Sequence, residues 1–462
     1  MNFEETEKLF SKRDSYAATN GSAESPAASA ESANGWAPEE NGGEGRARRG
    51  LTMMLGAIFL VGEMAGAGVL NLPKAMVNTG WVGVPLIIIL CAGVAYSGTR
   101  LAECWVLLEE RWPEYRVPCR RPYPAIAYRA LGTVGQFVTE VALNVTLFGA
   151  STVFLLLATQ MIHTIADPLI ELTACEWTLI IGGILTPLTW MGTPKDFWPA
   201  SILAMAATFL ACLVVMVKVV MEKPFFGPPH FPSPTFSSFF LGFGSILFAL
   251  GGASIFPTVQ NDMRDRSQFG SSVIVAFLTL LALYLPLMTI CYGLLGSNVK
   301  DNILMNVSGV VVTLVNALIF VHFVFALTIV VNPVMQTLEG LLNLPNKFGP
   351  KRCIARSCVM AVIILTGLAV PDFGKILDLI GGSSVTLMSF ILPPLCYIRL
   401  CNAELTAGVK HRDLARWERI LLITIIVVGA VGGVASTYSA LKEILGPKAF
   451  SHNCFSRRIF LR

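Results

Sequence analysis

Residues 62–76, GEMAGAGVLNLPKAM, interrupt a stretch that otherwise has the length and apolarity of a membrane-crossing helix. Residues 51–77 could span a hydrocarbon core of about 30 Å, yet Gly62, Gly66, Gly68 and Pro73 crowd the middle, where a regular helix is hard to hold. Backbone that unwinds at that depth leaves N–H and C=O groups without partners. Lipid does not tolerate this unless the segment is enclosed in protein or lines a polar cavity. The break therefore marks a site, or else a glycine face for close helix packing.

A second interrupted span weighs toward the site. In residues 243–260, FGSILFALGGASIFPTVQ, Gly251 and Gly252 precede small and aromatic residues and then Pro257. Proline is at home in a first helical turn, where its missing N–H has no partner to lose. Both stretches thus read as half-helix, unwound linker, half-helix with a proline near the second start. Paired interruptions at matching places in two halves point to the binding site of a secondary transporter.

Composition supports a membrane setting: 54% of residues are hydrophobic, 14% are charged, and the mean hydropathy is +0.64. These values exclude an ordinary soluble enzyme. The net charge of +4 is small and says nothing about nucleic acid, and no nucleic-acid partner is expected. The eleven cysteines form no CxxC or Cys/His cluster and read as small core residues, so no metal or organic cofactor is expected. No HExxH, GxSxG or P-loop lysine marks a membrane enzyme.

Residues 1–49 are rich in Ser, Ala, Gly and Glu and read as a disordered tail with no signal peptide. About eleven spans follow within a transporter domain at 50–445. Their limits are near 51–77, 82–108, 134–163, 177–194, 198–221, 236–262, 271–295, 307–335, 354–370, 375–400 and 420–442, with a C-terminal tail at 446–462. Loop charge orients them. Arg111, Arg116, Arg120, Arg121 and Arg129, then Arg264 and Arg266, Lys347, Lys351 and Arg352, and finally Arg399, Lys410, Arg412, Arg416 and Arg419 fall on one side, the expected cytoplasmic side of the N-terminus. The loop after the third span carries Asp167, Glu171 and Glu176 without a Lys or Arg. An odd count places the C-terminus opposite, despite Lys448, Arg457, Arg458 and Arg462. Spans one to five (51–222) and six to ten (236–400) are similar in length and enter from opposite sides. The fold class is an all-α polytopic membrane protein with a five-plus-five inverted repeat and broken helices 1 and 6.

Three stretches carry a family resemblance: GAGVLNLPKAMVNTGW at 66–81, GGASIFPTVQNDM at 251–263 and IGGSSVTLMSFILPPLCYIRL at 380–400. From about residue 51 to the end of the last span, the chain resembles the eukaryotic amino acid/auxin permease family. That family includes vesicular inhibitory amino acid, proton-coupled and sodium-coupled neutral amino acid transporters. The resemblance implies eleven spans in a leucine-transporter-like fold and a cytoplasmic N-terminus. The chain departs from sodium-coupled relatives at Glu63, where those tend to have an uncharged polar residue. Its loop between spans five and six, PFFGPPHFPSPTF, also offers no partner for Cys175.

The candidate substrate site is the pair of breaks, at 63–69 and 250–254: Glu63, Ala65, Gly66, Gly68, Phe248, Gly251, Gly252 and Ser254. Half-helix starts present N–H groups to an anion and half-helix ends present carbonyls to a cation, so an amino-acid zwitterion fits both. Glu63, an acid inside a span, fits three roles: a proton-coupling group, a partner for a cationic substrate group, or a structural acceptor for the unwound backbone. Further coupling candidates are Glu140, one turn from Asn144, together with His322 and Thr328. The plainer uses are an inter-helix hydrogen bond for Glu140, packing for His322 and a hydroxyl bond back to its own helix for Thr328. Phe248 and Phe256 flank the second break. Asn306-Val307-Ser308 is a glycosylation sequon too close to span eight for use.

The expected function is secondary active transport of amino acids, neutral ones foremost. It would be driven by protons or by exchange, with sodium as a further option, in the plasma membrane or in a vesicular or lysosomal one. The alternative is a receptor-like amino acid sensor with little net flux.

Overall fold

The computed structural model describes residues 50–117, 119, 121–166, 170–190, 198–222, 227–344, 348–403, 412–446 and 454. The expected disordered tail and most of the C-terminal tail lie outside the described residues. The chain is helical, and its first span is broken as expected. Helix α1 (Met53–Met64) starts at Thr52, whose hydroxyl accepts from the Leu55 N–H, and α2 (Ala67–Thr79) follows after two residues. Then come α3 (Gly83–Arg111), α4 (Pro122–Ala166), α5 (Ala174–Trp190) and α6 (Trp198–Glu222). In α4 the only non-helical residue is Gly132, at φ 74°, a conformation that favours glycine. It separates a short arm from the membrane span expected from residue 134.

The second repeat begins with α7 (Phe236–Ala249), fixed by a reciprocal Thr235–Ser238 capping box, and α8 (Phe256–Asn261), with Pro257 in its first turn. It continues with α9 (Phe269–Leu295), α10 (Val310–Leu341), α11 (Pro350–Ala369), α12 (Phe373–Ile380) and α13 (Leu392–Asn402). Two π-helical turns at 381–385 and 387–391 join α12 to α13. Helix α14 (Arg416–Leu445) lies beyond the repeat.

Eight described helical stretches, one of them running through α2 and α3, are long and apolar enough to cross a membrane. The broken helices α1 and α7 are shorter apolar pieces, and α5 has 17 residues. Residues Val310, Leu314, Leu318, Val321 and Phe325 form one exposed stripe down α10, as a lipid-facing surface requires. Val312, Val315, Ile319 and Phe323 are buried behind it. The broken spans pack against each other through α2 and α7, with α9 alongside α1 and α2, while α4 packs along α10 and α5 along α11.

One bundle end carries most of the basic residues. There the chain entering α1 pairs with the chain leaving α8: Leu51 N–H donates to Asp262 O at 2.9 Å, and Arg264 N–H donates to Leu51 O at 3.0 Å. Arg266 pairs with Glu109 at the same end.

The cysteines correct the expectation of core packing for all eleven. Cys91, Cys104, Cys212, Cys291, Cys396 and Cys401 are buried and free, but Cys358 is exposed, and Cys175 forms a disulfide with Cys454 across 279 residues. The loop before α7 indeed supplies no partner; the C-terminal tail does. Cys454 N–H also donates to Leu368 O at 3.1 Å, so this part of the tail lies at the end where α5 begins and α11 finishes, opposite the basic end.

Tags on the two termini should therefore react from opposite faces of the membrane. A membrane-impermeant maleimide should label Cys175 and Cys454 only after reduction, and only from the face away from the N-terminal tag. Labelling of both termini from one face would require the span count to be redrawn.

Candidate substrate and coupling site

The first break is shorter than the sequence expectation, and the second is one residue longer. The first covers residues 65–66 rather than 63–69: Glu63 and Met64 close α1, and Gly68 and Val69 are already helical in α2. Pro73 stands well inside α2 rather than near its start, where it forgoes one helical hydrogen bond. The second break covers residues 250–255. Ala65, Gly66, Gly68, Gly252 and Ala253 are buried, while Glu63, Phe248, Gly251 and Ser254 are partly so.

What satisfies the broken ends is a residue the sequence reading missed. Tyr284, fully buried on α9, directs its hydroxyl at Met64 O and at Ala249 O, each at 3.2 Å. Those carbonyls belong to the final residues of α1 and α7. One phenol proton is thus shared between the C-terminal ends of both broken helices, and the carbonyls expected to face a cation are engaged here. The start of α2 has no side-chain cap, so its first N–H groups face the break without a side-chain acceptor.

The glycines divide by role. A Cβ on Gly68 would fall 2.5 Å from the Ala249 Cα, so Gly68 lets α2 and α7 approach closely. A Cβ on Gly251 would meet Val385 at 2.7 Å, and one on Gly252 would meet Met64 at 2.6 Å. At Gly66 it would meet the Phe154 ring at 3.6 Å and the Glu63 carbonyl at 3.9 Å, both ordinary contacts. Packing does not demand glycine there, and position 66 is the most open of the four.

The other coupling candidates stand apart from the breaks. Glu140 pairs with Arg121 at 3.3 Å, and Asn144 donates to the Glu140 carbonyl on its own helix. Thr328 donates to Val324 O, one turn back. His322 is buried against Phe323, and its Nε2 has no hydrogen-bond partner among the described residues. The π-helical turns, in contrast, join the site. Thr146 on α4 donates to Ser384 at 2.8 Å, and the Gly381 backbone lies against the Gly244 carbonyl on α7. Such π-turns are frequent at functional sites.

Beyond the breaks, at the end opposite the basic one, Lys74 on α2 pairs with Asp301 at 3.3 Å. Asp372 caps α12 through the Gly374 N–H. Burial, then the facing Asp301 carboxyl, raise the Asp372 carboxyl from 3.8 to about 6, against the opposing pull of Lys375. The breaks are thus closed over by side-chain and backbone pairs at both ends.

Two broken helices meeting at their breaks within an inverted repeat define a membrane transporter of the leucine-transporter-like fold. Solved structures agree. MhsT in complex with L-phenylalanine aligns with a TM-score of 0.51 at 14% identity, over 85% of this chain and 100% of that one. Mhp1, a nucleobase-cation-symport-1 family transporter, aligns at 0.50 and 13%, over 86% and 92%. The family profile described as "Transmembrane amino acid transporter protein" matches residues 49–442, and the chain belongs to that family. Among its relatives in Arabidopsis thaliana, amino acid transporter AVT1J is 24% identical over 84% of this chain and 90% of its own length. Amino acid transporter AVT3B is also 24% identical, over 82% and 91%.

Replacing Tyr284 by Phe should leave two buried carbonyls without their donor and lower stability by about 1–3 kcal/mol, read as a fall in thermal midpoint of the purified protein. Gly68→Ala should cost a similar amount, about 1–3 kcal/mol, by overpacking α2 against α7.

The sign of the Asp372 effect follows from its raised carboxyl. Its favourable contribution is complete below the unfolded value near 3.8 and is lost as pH rises through about 6. The side chain is 36% exposed, so solvent screens it. Asp372→Asn, which keeps the helix cap, should raise stability at neutral pH by no more than about 1 kcal/mol and change nothing in acid. Melting curves of both proteins across pH test this.

Proposed function

We propose that this protein is a secondary active transporter of neutral amino acids, coupled to protons or working by exchange, that alternates access to the two breaks. The observation that carries this reading is the meeting of the broken spans. The uncapped start of α2 and the open position at Gly66 adjoin two half-helix ends that Tyr284 already binds together. Helix-start N–H groups suit the substrate carboxylate, and a shift of the shared Tyr284 proton toward one carbonyl leaves the other for the ammonium group. Alternating access then requires the Leu51–Met263 pairing and the Lys74–Asp301 pair to open in turn.

Glu63 closes α1 directly before the break and is half-buried. In this reading it carries the coupled proton, since its last-turn position places a carboxyl next to the unwound backbone. The MhsT structure holds an amino acid, and the Arabidopsis relatives are named amino acid transporters; both support the substrate class.

The test is uptake of a panel of radiolabelled amino acids into proteoliposomes at two pH values, with methyl esters and N-acetyl derivatives as competitors. Free neutral amino acids should accumulate, and blocked ones should fail to compete, because each lacks a charge the helix ends receive. Glu63→Gln should abolish the pH dependence while exchange persists. Binding without accumulation would instead identify a sensor, and unchanged pH dependence in Glu63→Gln would remove that residue from coupling.

A further inference from the structure

A second acid lies inside the bundle, on an element that sequence reasoning passed over. Asp378 on α12 is 7% exposed, and the described residues provide it with no ion pair. Its Oδ1 accepts from the Ser245 hydroxyl on α7, and Ser245 in turn accepts from Asn71 Nδ2 on α2 at 3.1 Å. One carboxyl thus anchors a donor chain that joins both broken spans to the helix leading into the π-turns. An isolated carboxylate at such depth is costly, and a single hydroxyl and its donor offset only part of that cost.

Unpaired polar atoms surround this chain. Asn71 Oδ1 and Ser436 Oγ are buried without a hydrogen-bond partner among the described residues, and so is Ser439 Oγ, three residues farther along α14. A Cβ on Gly244 would lie 2.5 Å from the Asp378 carbonyl and 2.6 Å from Ser436 Oγ, which places that hydroxyl beside the acid's own backbone. Residues 436, 439 and 443 follow one face of α14, and Glu443 is exposed at its far end. Buried polar atoms left unpaired in a row are what an ordered water file satisfies. The charged groups facing Asp378 are few. They are Asp372 and Lys375 at the start of its own helix, Asp301 in the loop before α10, Lys74 on α2 and Glu443 on α14. Helix α7 has no ionisable side chain, and the corresponding half of α4 has only His163.

We infer that Asp378 is a proton-binding site of this transporter, reached from the end opposite the basic one along Ser439 and Ser436 of α14. The inference rests on the proton-coupled reading above and deepens it, adding to Glu63 a second acid on which the acid stimulation depends. As a carboxylate, Asp378 draws the Ser245 hydroxyl and, through it, Asn71 into a charge-assisted chain that holds α2, α7 and α12 together. A proton arriving from water along α14 adds to the carboxylate and removes its charge. The Ser245 bond then falls to roughly half its strength, and the three elements are released from one another. The helix outside the repeat becomes the wall of the proton path.

The experiment uses the full-length protein in proteoliposomes, with a pooled mixture of tritiated neutral amino acids. Net uptake at acid and at neutral outside pH is compared with counterflow exchange, which needs no net proton movement. Asp378→Asn should lose an acid stimulation of about fivefold or more while counterflow stays within about twofold of the unmodified protein. Ser245→Ala removes a donor to the charged form and should move the half-stimulation point toward higher pH by about one unit. Ser436→Val should slow acid-driven uptake and spare counterflow. Acid-stimulated uptake that persists in Asp378→Asn overturns the inference, as does its loss in Asp372→Asn alone. Should Asp378→Asn not fold, an unmoved midpoint in Ser245→Ala overturns it equally. Uptake by the unmodified protein that ignores pH would remove the proton-coupled reading itself, a result distinct from these.

Discussion

A helix broken inside a membrane must find partners for the carbonyls at its severed end, and here one hydroxyl serves two of them. Tyr284 lies on an unbroken helix and reaches the last carbonyls of α1 and of α7 with the same proton. Lipid offers no substitute donor, so the separation of the two breaks is set by the reach of one phenol. The close approach of Gly68 to Ala249 then brings the other halves into register, and the π-turns after α12 fit their backbone against Gly244.

The existence of the breaks was legible because glycine and proline have few other uses in the middle of an apolar span. Their extent was less so. Gly68 looks like part of an unwound segment, yet its hydrogen-only side chain serves contact with Ala249, and the helix runs through it. Pro73 likewise suggests a helix start, while α2 carries it mid-helix. The span layout and the inverted repeat were readable from apolar lengths and loop charge, since both are summed over many residues. Tyr284 and Asp378 were not. A tyrosine in an apolar run, or an acid between short apolar stretches, acquires meaning only from partners such as Ala249 and Ser245, 35 and 133 residues away. Sequence carries no mark of those partners.

The polar side chains within the bundle also sort by reach. Glu140 and Thr328 looked promising, but each has a bond that explains it locally: an arginine just before α4 and a carbonyl one turn back. Asp378 differs because its hydrogen bonds run between elements rather than within one. A polar group that ties three moving parts responds to their movement, whereas one tied to its own helix does not.

The disulfide between Cys175 and Cys454 bears on how the chain is made. Synthesis delivers Cys175 early and Cys454 only after α14, with 279 residues between them. The bond therefore cannot close on a partly translated chain, and it needs an oxidising compartment on the side it faces. It is a late event in biogenesis that seals a chain already threaded to its last helix.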